Sequence, residues 1–208
     1  MGSENILRGI SLKDENKQLE NIIDIAQENL DNARRSVEKL NEDLSDLREV
    51  YDAQDKEGLV LWNNAAAQLE ENKRNVLRCE KARKKPYFGR IDFKDPKQKD
   101  EEAYYIGRVG IAKNASEPVV IDWRAPIASV YYENSLGPCK YTVSSEGTFE
   151  IDLKRKRTYE IADDKLIDFF DSDVVANDEL LTKYLAKNKK AVLGEIIATI
   201  QQEQNMII

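Results

Sequence analysis

The chain has 208 residues, of which 34% are charged and 41% hydrophobic, and its formal net charge is −7. It contains no histidine, which excludes histidine-based triads, histidine acid–base catalysis and most catalytic zinc sites. An acidic chain is poorly suited to autonomous, tight binding of nucleic acid, because neutralised phosphates supply most of that affinity. The low mean hydropathy, −0.64, is typical of an elongated helical protein with much exposed surface.

The cysteine content and the absence of long apolar runs bear on the compartment. Cys79 and Cys139 lie far apart and lack metal-ligand spacing, so they indicate neither a zinc site nor a disulfide framework. This usage fits the reducing cytosol, and we expect a cytoplasmic protein. No apolar run approaches the roughly 20 residues that span a bilayer, and residues 1–10 have no signal-peptide pattern. The sequence leaves open whether Met1-Gly2-Ser3 is native.

The first predicted element is an amphipathic helix from about Leu12 to Asp52. Its apolar residues alternate in steps of four and three, a heptad pattern that places them on one stripe. Ser11 is a suitable N-cap, and Asp14 and Glu15 lie in the first turn, where negative charge interacts favourably with the helix dipole. Such a helix would be about 60 Å long. The stripe comprises Leu19, Ile23, Ala26, Leu30, Ala33, Val37, Leu40, Leu44, Leu47 and Tyr51.

A second amphipathic helix follows the polar residues 52–58, which we expect to form a turn because Gly58 breaks helices. It ends in basic residues and Pro86, and together the two helices predict an antiparallel hairpin. A dimer seam is the alternative, but the turn and the second stripe favour pairing within the chain. Because the second helix is shorter, the first should begin against the globular part. The second stripe comprises Leu59, Trp62, Ala66, Leu69, Val76 and Cys79.

After Pro86 the apolar period becomes two, which is typical of β-strands. Glycine, proline, asparagine and serine turns separate the short segments, and this arrangement predicts an antiparallel sheet or a small barrel. The predicted strands are Tyr87–Phe93, Tyr104–Ala112, Pro118–Trp123, Ala128–Glu133, Cys139–Val143, Thr148–Leu153, Arg157–Ile161 and Lys165–Asp171.

Helical patterns return near the C-terminus, first at Asp178–Lys187 with Asn177 as N-cap, then in a final helix with Ile196 and Ile200 on one face. Because the sequence stops inside an apolar pattern without a cap, we expect it to be a piece of a longer protein. The predicted class is α+β: an antiparallel coiled-coil hairpin at residues 1–85, a small antiparallel β-rich module at 86–171 and terminal helices at 172–208.

Three stretches, in this order, carry a resemblance to a known family. They are residues 86–93, residues 120–132, which contain Asp122-Trp123-Arg124-Ala125-Pro126, and residues 196–205, which end in Gln-Glu-Gln-Asn. Together they resemble the N-terminal third of HelD, a DNA helicase IV-like relative of the UvrD/Rep helicases found with RNA polymerase in Gram-positive bacteria. The resemblance covers nearly the whole chain. The hairpin is shorter than the family leads us to expect, and its tip sequence does not match.

The resemblance implies the partner-binding arm of an ATP-dependent helicase that associates with bacterial RNA polymerase and aids its recycling from nucleic acid. The sequence contains no Gly-x-x-x-x-Gly-Lys-Ser/Thr loop, so we expect this chain alone to be inactive and to bind no cofactor. The longer protein would bind ATP and Mg²⁺, and DNA through its motor domains, which residues 172–208 would begin. We expect a monomeric chain without membrane contact. The alternatives are an accessory region of a DNA repair or recombination helicase, and a coiled-coil adaptor with no ATP-linked role.

Two sets of binding residues follow from the resemblance. Gln204 is similar to the glutamine that contacts adenine in UvrD-like helicases, an amide that donates and accepts at once. The alternative interpretation is that Gln204 is an ordinary polar residue on an amphipathic helix. Asp52, Asp55 and Glu57 at the hairpin tip would enter the secondary channel of RNA polymerase, where carboxylates could approach the catalytic Mg²⁺ or repel nucleic acid. The alternative interpretation is that these three acids lie in an ordinary solvated turn.

Two further motifs are interpreted as structural. Asp122 and Arg124 lie two apart on a predicted strand and can pair with neighbours on one face, whereas Trp123 points toward the core. Pro126 should end strand pairing or mark an edge, and no nucleophile or general base accompanies the block. The basic run at residues 154–157 could contact nucleic acid or an acidic polymerase surface, but protection of a sheet edge is the favoured interpretation.

Overall fold

The computed structural model describes residues 12–50, 56–133 and 136–171. A helical hairpin and one sheet make up this part of the chain, which confirms the α+β class. The predicted helices after residue 171 and the predicted cap at Ser11 lie outside the described residues. In chain order the elements are α1 (Leu12–Val50), α2 (Lys56–Lys84), β1 (Gly89–Lys94), β2 (Glu101–Gly107), β3 (Ile111–Asn114), β4 (Glu117–Asp122), a 3₁₀ turn (Pro126–Ala128), α3 (Ser129–Glu133), β5 (Gly137–Val143), β6 (Gly147–Ala162) and β7 (Lys165–Asp171).

The two long helices pair with each other through a heptad seam, as expected for an intramolecular hairpin. Leu30 and Ala33 of α1 are buried, and the stripe continues with half-buried residues as far as Leu47. Near the sheet Ile22 is fully buried and Ile23 only partly, so the stripe shifts by one residue there. The matching residues of α2 also alternate in steps of four and three: Gly58, Trp62, Ala65, Leu69, Asn72, Val76 and Cys79.

The start of α2 differs from the prediction in two ways. Gly58 lies in the first helical turn and is buried, whereas the sequence predicted a loop there. Its position continues the seam seven residues before Ala65, and the first helical turn tolerates glycine because its N–H groups lack intrahelical partners in any case. Leu59, predicted on the apolar stripe, is 55% exposed.

The seven strands form one mixed sheet in the order β3-β4-β2-β1-β6-β5, with β7 also paired to β6. The sheet is mainly antiparallel, as predicted, but one pair differs, because β2 and β4 run parallel. Strand β6 spans both predicted segments between residues 148 and 161 and pairs in turn with β5, β1 and β7. The predicted strand Tyr104–Ala112 is divided between β2 and β3.

The predicted strand Ala128–Glu133 is helical. Pro126 begins a 3₁₀ turn that leads directly into α3. Ala128 and Val130 are fully buried on one face of the sheet. The β-branched and aromatic residues of this segment favour a strand locally, but packing against the sheet overrides that weak preference.

Apolar side chains cover both faces of the sheet, because successive residues in a strand point to opposite sides. Tyr87 and Tyr105 join a cluster that includes Leu19, Ile22, Ala26 and Ala82 of the helices. Their neighbours Phe88 and Ile106 belong to a second cluster, with Ala128 and Val130, on the other face. The hairpin base and the segment around α3 therefore close the two sides of one sheet.

A β-bulge in β6 changes which side its residues face. Phe93 pairs with Leu153, but the next residue back in β1, Asp92, pairs with Arg155, so β6 has one extra residue at this point. Leu153 lies in the cluster on the α3 side, whereas Arg155 and Arg157 turn toward the helices. The bulge thus brings two arginines of the basic run to the base of the hairpin.

Candidate functional site

Glu15 joins the base of the hairpin to the sheet. Its Oε1 accepts a 2.5 Å hydrogen bond from Nη1 of Arg157, and its Oε2 accepts one of 2.9 Å from the Tyr159 hydroxyl. Glu15 and Arg157 are both 0% exposed. Glu15 lies in the first turn of α1, as predicted, but its carboxylate also forms these buried contacts with the sheet, which the sequence analysis did not predict. The available signal was its spacing, because Glu15 lies four residues before Leu19 on the apolar stripe.

Arg157 also binds Asp171 at the end of β7. Its Nε and Nη2 donate to the two carboxylate oxygens of Asp171 at 2.6 and 2.8 Å, a bidentate geometry that is strong and directional. Burial lowers the pKa of Arg157, but the hydrogen bonds and charge of Asp171, together with the charge of Glu15 and the neighbouring Tyr159, raise it above its usual value. One guanidinium thus connects the first turn of α1 to the last described residue of the chain.

Three further charged residues complete this ionic group. Arg90 lies 3.6 Å from Glu15 and 2.7 Å from Asp92, and Arg155 lies 3.3 Å from Asp92. The group therefore contains three carboxylates and three guanidiniums, and its formal charges balance. We call it the root cluster, and it consists of Glu15, Arg90, Asp92, Arg155, Arg157 and Asp171.

The basic run at residues 154–157 lies where the strand partners of β6 change. β1 pairs along one side of β6, whereas on the other side β5 pairs as far as Leu153 and β7 pairs only from Arg157, so the described pairs give residues 154–156 a strand partner on one side only. Protection of a sheet edge stays a prediction for these residues. Arg155 and Arg157 belong to the root cluster. Lys154 pairs with Asp152, and Lys156 donates a 3.1 Å hydrogen bond to the Tyr131 carbonyl. Each of the four side chains thus has an acceptor nearby, and the run does not form an open basic surface.

The Asp-Trp-Arg-Ala-Pro block forms a turn after β4. Arg124 binds Asp122 through Nε and Nη2, both at 2.9 Å, so the two residues pair with each other rather than across the sheet. Trp123 packs against the core cluster on the α3 side, as predicted. Pro126 begins the 3₁₀ turn and does not mark a strand edge. This geometry favours the structural interpretation of the block.

The part of the hairpin beyond its base extends away from the sheet. The most distal hydrogen bond described between α1 and the sheet is from Asn29 Nδ2 to the Ala112 carbonyl, at 3.0 Å. Beyond it, Leu30, Ala33 and Leu69 are buried outside the cluster that the hairpin shares with the sheet. From Asn29 to Val50 the helix covers about 30 Å. We call residues 30–50 and 56–81 the arm.

The predicted tip acids are only partly within the described residues. Glu57 lies in the first turn of α2 and is exposed. Asp52 and Asp55 lie in residues 51–55, and Gln204 lies after residue 171, all outside the described residues. The roles assigned to these residues stay predictions.

Sequence reasoning missed the exposed apolar residues beside Glu57. Leu59, Val60, Leu61 and Trp62 form an unbroken run at the free end of the arm, each between 43% and 58% exposed. The sequence contained a signal for this exposure, because four consecutive apolar residues cannot all lie on the one stripe of a helix that faces its partner. The heptad pattern predicted Leu59 and Trp62 on the seam and did not account for Val60 and Leu61 between them.

The described part of the chain contains neither a metal-binding cluster nor a membrane-spanning helix. No group of three or more histidine, cysteine or acidic side chains there could hold a metal ion. No helix in the same residues combines the length and the apolar character needed to cross a membrane.

Comparison with known protein families identifies the family to which this chain belongs. No curated protein matches the chain. The family described as DNA helicase IV HelD, N-terminal domain, matches residues 12–186, a range that contains the whole hairpin and the whole sheet. The chain therefore belongs to the HelD family of DNA helicase IV proteins and carries their N-terminal domain.

Proposed function

We propose that this chain is the partner-binding arm of an ATP-dependent helicase, and that the arm enters the secondary channel of bacterial RNA polymerase to aid its release from nucleic acid. The observation that carries the proposal is the arm itself. It extends about 30 Å past its last described hydrogen bond to the sheet, while the root cluster fixes its base. A projecting hairpin held at one end is suited to reaching a recessed site on a partner.

The dimensions and construction of the arm support insertion. Each helix is about 10–12 Å across with its side chains, so two paired helices form a narrow rod. The heptad seam keeps the helices together, and the exposed Arg34–Glu80 pair, 2.8 Å apart, adds a cross-link between them. A rod of this kind can enter a channel without having to fold on its partner.

The charge of the distal arm favours a protein partner over DNA. Between residues 42 and 57 the sequence has seven acidic and two basic residues. Such a segment repels a phosphate backbone, which weakens the alternative that the arm of a repair helicase grips DNA. Carboxylate oxygens suit Mg²⁺, in keeping with a tip that approaches the polymerase's catalytic metal. Membership of the HelD family weakens the adaptor alternative.

The root cluster offers a route by which a motor could move the arm. In the proposed parent protein, ATP and Mg²⁺ would bind in the motor domains, and Gln204 would contact the adenine. Asp171 immediately precedes the segment that would lead there, and Arg157 joins it to Glu15 in α1. Displacement of that segment would therefore act directly on the base of the arm.

The test is titration of the purified chain against bacterial core RNA polymerase at low and moderate salt. The tip variant carries Asp52, Asp55 and Glu57 changed to Ala. The control changes three exposed acids of α1 to Ala, at positions 20, 28 and 38, so that net charge changes equally. We expect saturable binding that weakens at least tenfold in the tip variant and stays within twofold in the control. Absence of wild-type binding at micromolar concentrations would contradict the proposal.

A further inference from the structure

The free end of the arm exposes a concentrated apolar surface, which we call the apolar tip and define as Leu59, Val60, Leu61 and Trp62. Their exposed fractions are 55%, 58%, 47% and 43%, so about half of each side chain faces water. Because successive helical residues are turned by about 100°, these side chains form an apolar band around α2, with Trp62 toward α1 and the other three on the remaining sides. Scattered exposed apolar residues are normal on a protein surface, but such a concentration of large ones marks an interaction site.

The hairpin fold does not account for this cluster. Trp62 lies on the α2 seam, four residues after Gly58 and seven before Leu69, and packing toward α1 explains its partial burial. Leu59, Val60 and Leu61 lie off the seam, because each helical residue turns by about 100° from the last. They therefore add little to the pairing of the two helices.

Further along α2 the positions off the seam have a different character. Most are amide or charged residues, and Leu77 is the one other large apolar residue between residues 63 and 84 that is mostly exposed. The apolar surface is thus concentrated at the end of the arm that is farthest from the sheet. That end is the one a partner would meet first.

The surroundings of the apolar tip are acidic. Glu42, Asp43 and Asp46 are exposed on the distal part of α1, and Glu57 is exposed immediately before the apolar run. Arg48 and Lys56 are the basic residues in the same described segments, 42–50 and 56–62. A complementary partner surface would therefore be apolar at its centre and basic at its rim, the usual arrangement of a desolvated anchor within a charged border.

We propose that the apolar tip docks into an apolar pocket that wraps around the exposed sides of α2 and has a basic rim, on the protein that the arm enters. Leu59, Val60 and Leu61 supply the buried area, and Trp62, a residue type enriched among binding hot spots, anchors one side. The surrounding carboxylates steer the approach and set the orientation. This inference rests on the proposed function, since core RNA polymerase is the partner on which the pocket is sought.

The test variant is Leu59→Gln, Val60→Thr and Leu61→Gln in the full chain. Glutamine keeps the helix propensity of leucine, and Trp62 is retained because it takes part in the seam. The matched control is Leu77→Gln, which removes an equally exposed leucine, 57% against 55% for Leu59, from the same helix but outside the tip. Circular dichroism and thermal unfolding of both variants should match the wild-type chain.

Binding to core RNA polymerase is measured at low and moderate salt, with the tip acid variant alongside. At moderate salt, where exposed charges are screened and apolar contacts persist, the triple variant should bind at least tenfold more weakly and the control within twofold of wild type. The acid variant should instead lose affinity mainly at low salt. Sedimentation of the free wild-type chain should show a monomer.

Each contrary result has a distinct meaning. Unchanged binding by the triple variant, with weaker binding by the acid variant, would overturn the apolar tip and leave the proposed function standing. No saturable binding by the wild-type chain would overturn both. Self-association of the wild-type chain that the triple variant abolishes would overturn the proposal in favour of an interface between copies.

Discussion

Replacing Arg157 with Met should strongly destabilise the protein through the root cluster. Arg157 makes three hydrogen bonds of 2.5–2.8 Å to Glu15 and Asp171, and its side chain is 0% exposed. Methionine fills most of the vacated space, so cavity formation is a minor cost. What remains is a pair of buried carboxylates that have lost their main cation.

The size of this destabilisation follows from the charges that remain in the root cluster once Arg157 is replaced. Arg90 lies 3.6 Å from Glu15 and Arg155 lies 4.0 Å from Asp171, so compensation is partial. The cluster changes from balanced to one excess negative charge. Breaking a buried ion pair costs about 3–5 kcal/mol, and whole domains are stable by about 5–15 kcal/mol. We therefore expect Arg157→Met to lower the free energy of unfolding by about 3–5 kcal/mol.

Denaturant unfolding, followed by circular dichroism and tryptophan fluorescence, measures this change. The control is Arg34→Met, because Arg34 forms a 2.8 Å pair with Glu80 whose side chains are 51% and 40% exposed. Screening by solvent makes such a pair worth about 0–1 kcal/mol. The two substitutions thus remove the same type of cation from a buried and an exposed site.

A second variant isolates the physical cause. Combining Arg157→Met with Glu15→Gln restores two carboxylates to two guanidiniums, so the double variant should be more stable than the single one. A loss below about 1 kcal/mol in Arg157→Met would refute the reasoning. A double variant less stable than the single one would also refute it, because excess buried charge would then not be the source of the cost.

Two further predictions concern the sheet and α3, which packs against it. A Cβ at Gly107 would clash with the Pro86 carbonyl oxygen, whereas at Gly110 the nearest atom is 3.6 Å away. Gly107→Ala should therefore cost about 1–3 kcal/mol, and thermal unfolding should show no comparable loss for Gly110→Ala. Burial raises the pKa of Tyr131 to about 12, against the Thr158 hydrogen bond, which lowers it. The pKa of a tyrosine in the unfolded chain is about 10, so the folded state keeps the Tyr131 hydroxyl proton to a higher pH than the unfolded state does. The free energy of unfolding should therefore fall as pH rises from about 10 to 12. Tyr131→Phe should reduce that fall in unfolding titrations at stepped pH; an equal fall would show that this tyrosine is not involved.

The sequence by itself determined the features that depend on local periodicity. The heptad stripe of α1 predicted a long helix and the side that faces α2, which is buried at Leu30 and Ala33 and half-buried as far as Leu47, since helical geometry repeats along the chain. The alternation after Pro86 located the sheet region, and Lys165–Asp171 matches β7, but the pattern joined β2 with β3, divided β6 and predicted a strand where α3 lies. The family blocks likewise pointed to HelD, which the match to residues 12–186 shows.

Only the tertiary structure decided features that join distant residues. Glu15 and Arg157 are 142 residues apart, and a bulge in β6 determines that Arg157 faces the hairpin at all. The parallel β2–β4 pair and the helical state of α3 likewise depend on which surfaces meet. The exposed apolar tip follows from where the seam of α2 runs, which depends on α1 as well as on α2. Local patterns fix the type of each element, but the burial of a charge or the exposure of a leucine depends on the partner that packs against it.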